Sequence, residues 1–170
     1  MPSRPAEPLP DAEAALATLA ERMSSRVPHD AAFVGIYSGG AWLAERLARI
    51  VRGEHAVGFI DVSFYRDDYS RAGLKPNARR TDIKFEVDGA SIVLVDDVLY
   101  TGRSVRAAIN ELFDFGRPAR IDLAVLVDRG GRELPIEATY VAARLVVPDD
   151  RSIVLSRGDD GRLALSLEPA

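Results

Sequence analysis

The chain has 170 residues, 47 % of them hydrophobic and 28 % charged, and a formal net charge of −4. This length is enough for one domain with a sizeable core, and its acidic balance exerts no general pull on nucleic acid. No apolar run approaches a membrane span, and the absence of cysteine excludes a disulfide framework and a thiolate metal site and fits a cytoplasmic location.

A single domain over 1–170 is expected, with the proline-containing stretch 1–10 as a flexible arm. The pattern predicts a first helix over 11–26, with Asp11 as its N-cap and Leu16, Leu19, Ala20 and Met23 on its apolar stripe. Val27-Pro28-His29-Asp30 breaks it. A buried strand is expected over 31–37. Ser38-Gly39-Gly40 then turns into a helix that carries Trp42, Leu43, Leu47, Ile50 and Val51 and ends at Gly53. Trp42 is assigned to packing or a subunit contact, and His29 and His55 to solvent-facing turns. A strand over 56–64 is followed by a polar stretch, Tyr65 to Gly89, with eleven charged side chains. A connection of that length is read as a functional or mobile loop with a hairpin of its own.

The most informative stretch comes next. Ser91-Ile92-Val93-Leu94-Val95 reads as a strand buried on both faces, with Asp96 and Asp97 at its end. Thr101-Gly102-Arg103-Ser104 then forms the loop opening a helix over 105–115, whose apolar positions are Val105, Ala108, Ile109, Leu112 and Phe113. Amide groups at a helix start, with Gly102 permitting close approach and two hydroxyls adding donors, form an anion cradle. Two carboxylates beside such a cradle suit a sugar phosphate, the acids taking vicinal ribose hydroxyls and the loop the 5′-phosphate. Gly116-Arg117-Pro118 makes a turn, and a strand over 121–127 ends at Asp128-Arg129-Gly130-Gly131-Arg132. Further strands are expected over 140–147 and 152–155, then a hairpin turn at Asp159-Asp160-Gly161 and a strand over 163–167. Strands alternating with helices imply an α/β fold, a doubly wound, mainly parallel sheet flanked by helices. Its ligands belong at the carboxyl ends of the strands, where Ser38–Gly40, Asp96–Ser104 and Asp128–Arg132 all fall.

The run from Ser91 to Ser104 resembles the phosphoribosyl-pyrophosphate (PRPP) signature of type I phosphoribosyltransferases. Three blocks in order, Asp61–Ser70, Val93–Ser104 and Leu123–Ile136, together with Gly116-Arg117-Pro118, resemble the PyrR family. Its members are pyrimidine operon regulators that are also uracil phosphoribosyltransferases. The resemblance runs from about Asp11 to Leu155 and weakens after Tyr140.

The resemblance implies a type I phosphoribosyltransferase fold with a mobile loop or hairpin over the site. The implied reaction is uracil plus PRPP to UMP plus pyrophosphate with Mg²⁺, by a homodimer or homotetramer in pyrimidine salvage. Asp96 and Asp97 would orient the ribose hydroxyls, and Asp97 would also stabilise the cationic sugar ring. Thr101, Gly102, Arg103 and Ser104 would hold the 5′-phosphate, and Tyr100 would flank the nucleotide or cover the motif's apolar base. Ser38, Gly39 and Gly40 would meet pyrophosphate. Asp128 is expected near the metal, largely through substrate and water, and Arg132 would offset pyrophosphate charge. Arg66, placed with the catalytic groups, and Lys75, Arg79 and Arg80 lie in the long loop that would close over pyrophosphate and exclude water. The bland readings are that Asp128 pairs with Arg129 or Arg132 on the surface, that Arg66 pairs with Asp67 or Asp68, and that Lys75, Arg79 and Arg80 are solvated.

Two features depart from the family pattern. Many relatives carry Lys or Arg in the turn after the first strand, where this chain has only Ser38-Gly39-Gly40. Regulatory members bind RNA on a basic dimer face, and phosphate contacts need Lys or Arg. Here the first helix offers Ala14, Ala17, Thr18 and Glu21 outward, and the late segment offers Asp149 and Asp150 with only Arg151 nearby. The enzymatic reading is preferred on that ground. A uridine-nucleotide-sensing, RNA-binding attenuation regulator with weak catalysis is the alternative, and a transferase for another base is the third reading.

Overall fold

The computed structural model describes residues 6–63 and 80–170. Five strands form one parallel sheet: β1 (Ala32–Ile36), β2 (Val57–Ile60), β3 (Ser91–Leu99), β4 (Arg120–Asp128) and β5 (Tyr140–Arg144), in the order β2-β1-β3-β4-β5. Every residue of β1 is buried, as befits a strand covered on both faces. The two-residue period of a strand sends neighbours to opposite faces, so Val93 and Val95 enter one apolar layer and Ile92 and Leu94 the other. The first layer is closed by α1 (Ala12–Met23), α2 (Gly39–Ile50) and an antiparallel hairpin, β6 (Arg151–Arg157) with β7 (Leu163–Pro169). The second is closed by α3 (Arg103–Phe115) through Val105, Ala108 and Leu112. This is the expected doubly wound α/β architecture.

Most element limits differ from the expected ones for local reasons. Asp11 does cap α1, its Oδ1 accepting from the Ala14 amide at 2.9 Å, but the helix ends at Met23, where the Ser24 hydroxyl turns back to the Ala20 carbonyl at 2.8 Å. α2 ends at Ile50 with Val51 extended, short of Gly53. β5 stops at Arg144 because its last partner, Asp128, ends β4; the Leu145 amide closes the ladder on the Asp128 carbonyl at 3.0 Å. β6 and β7 are longer than expected and pair only with each other, outside the main sheet. In the stretch expected as an arm, Leu9 packs against the first layer and Glu7 accepts from the Val146 amide at 3.4 Å. His55 is half-buried rather than solvent-facing: Nδ1 lies 2.7 Å from the Ala31 carbonyl oxygen and the ring packs edge-on against Phe33. Trp42 lies against the first layer beneath the Arg157 guanidinium, 4.8 Å from the ring centroid.

The excursion after β2 returns beside it, Phe59 and Asp82 forming an antiparallel bridge. Arg66, Lys75 and Arg79 lie outside the described residues, and Arg80 is exposed. Among the described residues no helix is long and apolar enough to cross a membrane.

Candidate active site

The winding of the sheet reverses at β1 and β3. β2 lies to one side of β1, while β4 and β5 lie beyond β3. Such a reversal opens a crevice at the strands' carboxyl ends. The turn after β1 and the acid pair of β3 meet there.

Asp96 and Asp97 do not end the strand, as expected, but lie inside it, since β3 continues to Leu99. Asp96 is buried, and its Oδ1 accepts from the Asp97 amide at 2.9 Å. Asp97 is half-buried, and its Oδ1 accepts from the Val98 amide at 2.8 Å. These bonds orient both carboxyls before any ligand arrives. Asp97 faces the start of α2, and the fit is tight. A Cβ on Gly39 would lie 2.4 Å from Asp97 Oδ2, and one on Gly40 would lie 2.3 Å from the Val95 carbonyl oxygen. The glycine pair therefore permits close backbone approach to the acid and its strand. The preceding peptide, Tyr37–Ser38, is cis, and Ser38 is exposed.

The cradle begins at Tyr100 and Thr101. Gly102 is the N-cap of α3 at φ 92° and brings no side chain to cap the helix. Helix starts carry amides without intrahelical partners, and here Thr101 Oγ1 accepts from only the Arg103 amide, at 3.3 Å. The first turn thus suits an anion. Arg103 and Ser104 belong to that turn rather than to a preceding loop, and Arg103 Nε donates to Glu133 at 2.8 Å. Outside the cradle, Ile136 packs against Gly102, 3.1 Å from where a Cβ would stand.

The polar cluster after β4 is extensively bonded within the protein, and Asp128 pairs with Arg132 as the alternative reading had it. Arg132 was assigned to pyrophosphate, but its guanidinium is taken up by the protein: Nη2 donates to Asp128 at 2.7 Å, Nη1 to the Tyr100 carbonyl at 2.8 Å and Nε to the Ile136 carbonyl at 2.9 Å. Asp128 is buried, not on the surface, and its Oδ1 accepts from the Gly130 amide at 2.9 Å. Among the described residues no group of three His, Asp or Glu side chains is placed to hold a metal. Two clefts flank Asp128, Arg132 and Arg144. One, about 560 Å³, is walled by Leu134, Pro135 and Ile136; the other, about 360 Å³, by Arg129, Leu145 and Val146.

Arg129 escaped the sequence reading, which considered it only as a surface partner of Asp128. It is buried and bonds three main-chain carbonyls, with Nη1 to Arg151 at 2.8 Å and Nη2 to Pro148 at 3.1 Å and Val147 at 3.4 Å. Its guanidinium lies 3.9 Å from the centroid of the Tyr100 ring. No local signal could have revealed this, because main-chain acceptors about twenty residues away leave no mark on side-chain spacing.

Comparison with known proteins agrees with this geometry. Residues 7–156 match the phosphoribosyl transferase domain family. The "Bifunctional protein PyrR" of Ralstonia nicotianae is 48 % identical over 157 residues, covering 91 % of this chain and 90 % of the relative. The protein of the same name from Pseudomonas paraeruginosa is 49 % identical over 152 residues, covering 89 % and 87 %. Among solved structures, a hypoxanthine-guanine phosphoribosyltransferase from Bacillus anthracis superposes with a TM-score of 0.66 at 19 % identity, covering 87 % of this chain and 86 % of that one. The hypoxanthine phosphoribosyltransferase of Trypanosoma cruzi gives 0.63 at 18 %, covering 94 % and 95 %. At such identities these two establish the fold alone. With an acid pair and an amide cradle at the sheet's switch point, and close relatives along most of its length, the chain belongs to the PyrR family of phosphoribosyl transferase-domain proteins.

Proposed function

We propose that this chain is a uracil phosphoribosyltransferase, converting uracil and PRPP to UMP and pyrophosphate. One observation carries the reading: Gly39 lies against Asp97, so the turn after β1 meets the acid pair, which leads through Thr101 directly into the start of α3. The crevice there matches the parts of PRPP. Asp96 and Asp97 accept hydrogen bonds from the ribose hydroxyls. The first-turn amides of α3, with Thr101 and Ser104, hold the 5′-phosphate. The amides of Ser38, Gly39 and Gly40 face the pyrophosphate, a role backbone donors can fill without a cation.

Uracil displaces pyrophosphate at the anomeric carbon. The bond to the departing oxygen breaks while the new carbon–nitrogen bond forms, the ring oxygen carries positive charge between the two, and the uracil N1 proton leaves to the departing pyrophosphate or water. Catalysis is then chiefly positioning plus electrostatics. Asp97, held from below by the Val98 amide, stabilises the cationic ring. The donor set is oxygen-rich but dispersed, which fits a magnesium ion held mostly by PRPP and water. Magnesium, when bound, would neutralise charge on the pyrophosphate, and Asp128, already bonded to Arg132 and the Gly130 amide, would meet it through water and substrate. Arg66, Lys75, Arg79 and Arg80 lie in the segment read as closing over the leaving group. The 360 Å³ cleft beside Asp128, with Leu145 and Val146 as apolar walls, has room for a pyrimidine. The family resemblance supports a homodimer or homotetramer.

The test is a base panel with PRPP and Mg²⁺, comparing uracil with cytosine, orotate, guanine, hypoxanthine and xanthine. Uracil is expected to have the highest kcat/KM by at least about tenfold, a floor well below the discrimination that buried polar recognition reaches. Turnover of a purine in preference to uracil would overturn the base assignment, and turnover of none would overturn the transferase reading.

A further inference from the structure

We propose that Arg129 is a positioning residue, which acts by holding the Tyr100 ring and thereby fixing the turn between the acid pair and the phosphate cradle. The inference rests on the transferase reading above.

The argument starts from the cost of a buried charge. A guanidinium taken out of water needs compensation for its charge and its donors. Arg129 is 8 % exposed, and the adjacent carboxylate does not compensate it, because Asp128 is bonded to Arg132. Its donors go to the carbonyls of Arg151, Pro148 and Val147, and among the described residues its buried Nε has no hydrogen-bond partner. The remaining compensation is the face of Tyr100 at 3.9 Å, an arrangement that suits a planar, weakly hydrated cation.

Tyr100 is 37 % exposed, and its protein-facing side is flanked by the same segment. On one side a Cβ at Gly131 would lie 2.3 Å from the ring, so only glycine lets the chain pass so close. Its carbonyl accepts from Arg132, and its hydroxyl lies 3.4 Å from Asp149 Oδ1. The Arg129 amide donates to the Leu99 carbonyl at 3.0 Å, so the arginine is anchored to the very strand end it supports. Tyr100 is the link between that strand end and Thr101, whose carbonyl accepts from the Glu133 and Leu134 amides at 3.0 and 3.1 Å. A shift of the Tyr100 ring would move the cradle relative to Asp97. The far end of Arg129 grips residues 147–151, the stem of the β6–β7 hairpin. It therefore ties that hairpin to the reacting turn.

The experiment is a double-mutant cycle in kcat/KM for PRPP at saturating uracil, with thermal midpoints measured alongside. Arg129→Lys keeps the charge and loses the planar stack. Tyr100→Leu removes the ring and leaves the carbonyl bonds of Arg129 in place. Each single variant should lose about tenfold in kcat/KM, and the double variant about the same tenfold rather than a hundredfold, because the two act as one unit. The assays are run well below the lowest midpoint, so a merely structural role of Arg129 would leave kcat/KM unmoved. Unchanged kcat/KM in Arg129→Lys overturns the proposal. So do losses that multiply in the double variant, which would mean that Arg129 acts independently of Tyr100, for instance on uracil in the adjoining cleft. A wild-type chain inactive with uracil and PRPP would instead refute the transferase reading, which the cycle's reference measurement exposes at once.

Discussion

At the scale of single residues, the reaction places its greatest demand on Asp97. Its carboxylate is oriented by the Val98 amide and closely walled by Gly39. Asp97→Asn keeps the shape and removes the charge. It is expected to lower kcat by about a hundredfold, the usual scale for removing one preorganised electrostatic group, with the unfolding midpoint held within a degree or two. Undiminished turnover would take Asp97 out of the mechanism. The two neighbouring glycines separate activity from stability. In Gly39→Ala the new methyl meets the Asp97 side chain, so kcat/KM should fall while the fold survives. In Gly40→Ala it meets the Val95 carbonyl in the middle of the sheet, at 2.3 Å. Backbone cannot yield there, and a stability loss of about 1–3 kcal/mol is expected in denaturant titrations. If both variants lost only stability, the close approach would be a packing feature with no bearing on the acid.

At the scale of elements, Glu13 joins α1, α2 and the hairpin. It takes both terminal nitrogens of Arg46, at 2.8 and 2.7 Å, and accepts from the Leu163 amide at 2.8 Å. The Arg46 guanidinium first, and the Leu163 amide second, hold its carboxyl down at about 2, against an ordinary value of 4.5. The folded state therefore binds a proton less readily than the unfolded chain. The stabilisation is present above about pH 4.5 and is lost as pH falls toward 2. Because Arg46 is 36 % exposed and solvent screens the pair, its worth is discounted to about 1 kcal/mol. Urea midpoints across that range should fall less steeply for Glu13→Gln than for the parent. Parallel curves would mean that other carboxylates carry the acid sensitivity. This tie was invisible in the sequence, since its partners stand 33 and 150 residues from Glu13. The helices themselves were legible, because an apolar stripe lies within a single segment, and α3 ends at Phe115 as expected; the last turns of α1 and α2 were not, because a side-chain hydroxyl or a local extended residue sets where each stops.

At the scale of the whole molecule, charge decides what the surface can hold. The exposed side of α1 carries Ala14, Ala17 and Glu21, and the approach to the hairpin carries exposed Asp149 and Asp150. The exposed Arg22, Arg26 and Arg151 are offset by these acids, so the face offers a polyanion little counterion release. Gel shifts with pyrimidine-leader RNA at low salt are therefore expected to show no saturable binding at micromolar protein. Tight binding that weakens steeply with salt would reinstate the RNA-binding regulator.

Much of the architecture was determined by amino-acid order alone. Continuous Val- and Ile-rich runs must be covered on both faces, and alternation with helices makes the sheet parallel. Asp96-Asp97 and the Thr-Gly-Arg-Ser turn announced their chemistry because the whole motif lies within nine residues, from Asp96 to Ser104. Only the tertiary structure decided which partners those groups have. It placed β1 beside β3, so that Gly39 meets Asp97. It spent Arg132 on Asp128 and three carbonyls, and set Arg129 against Tyr100. Periodicity and local chemistry act along the chain, where sequence records them. Register, strand order and close approach arise between segments far apart in it, and they settle whether a side chain is free for a ligand or committed to the fold.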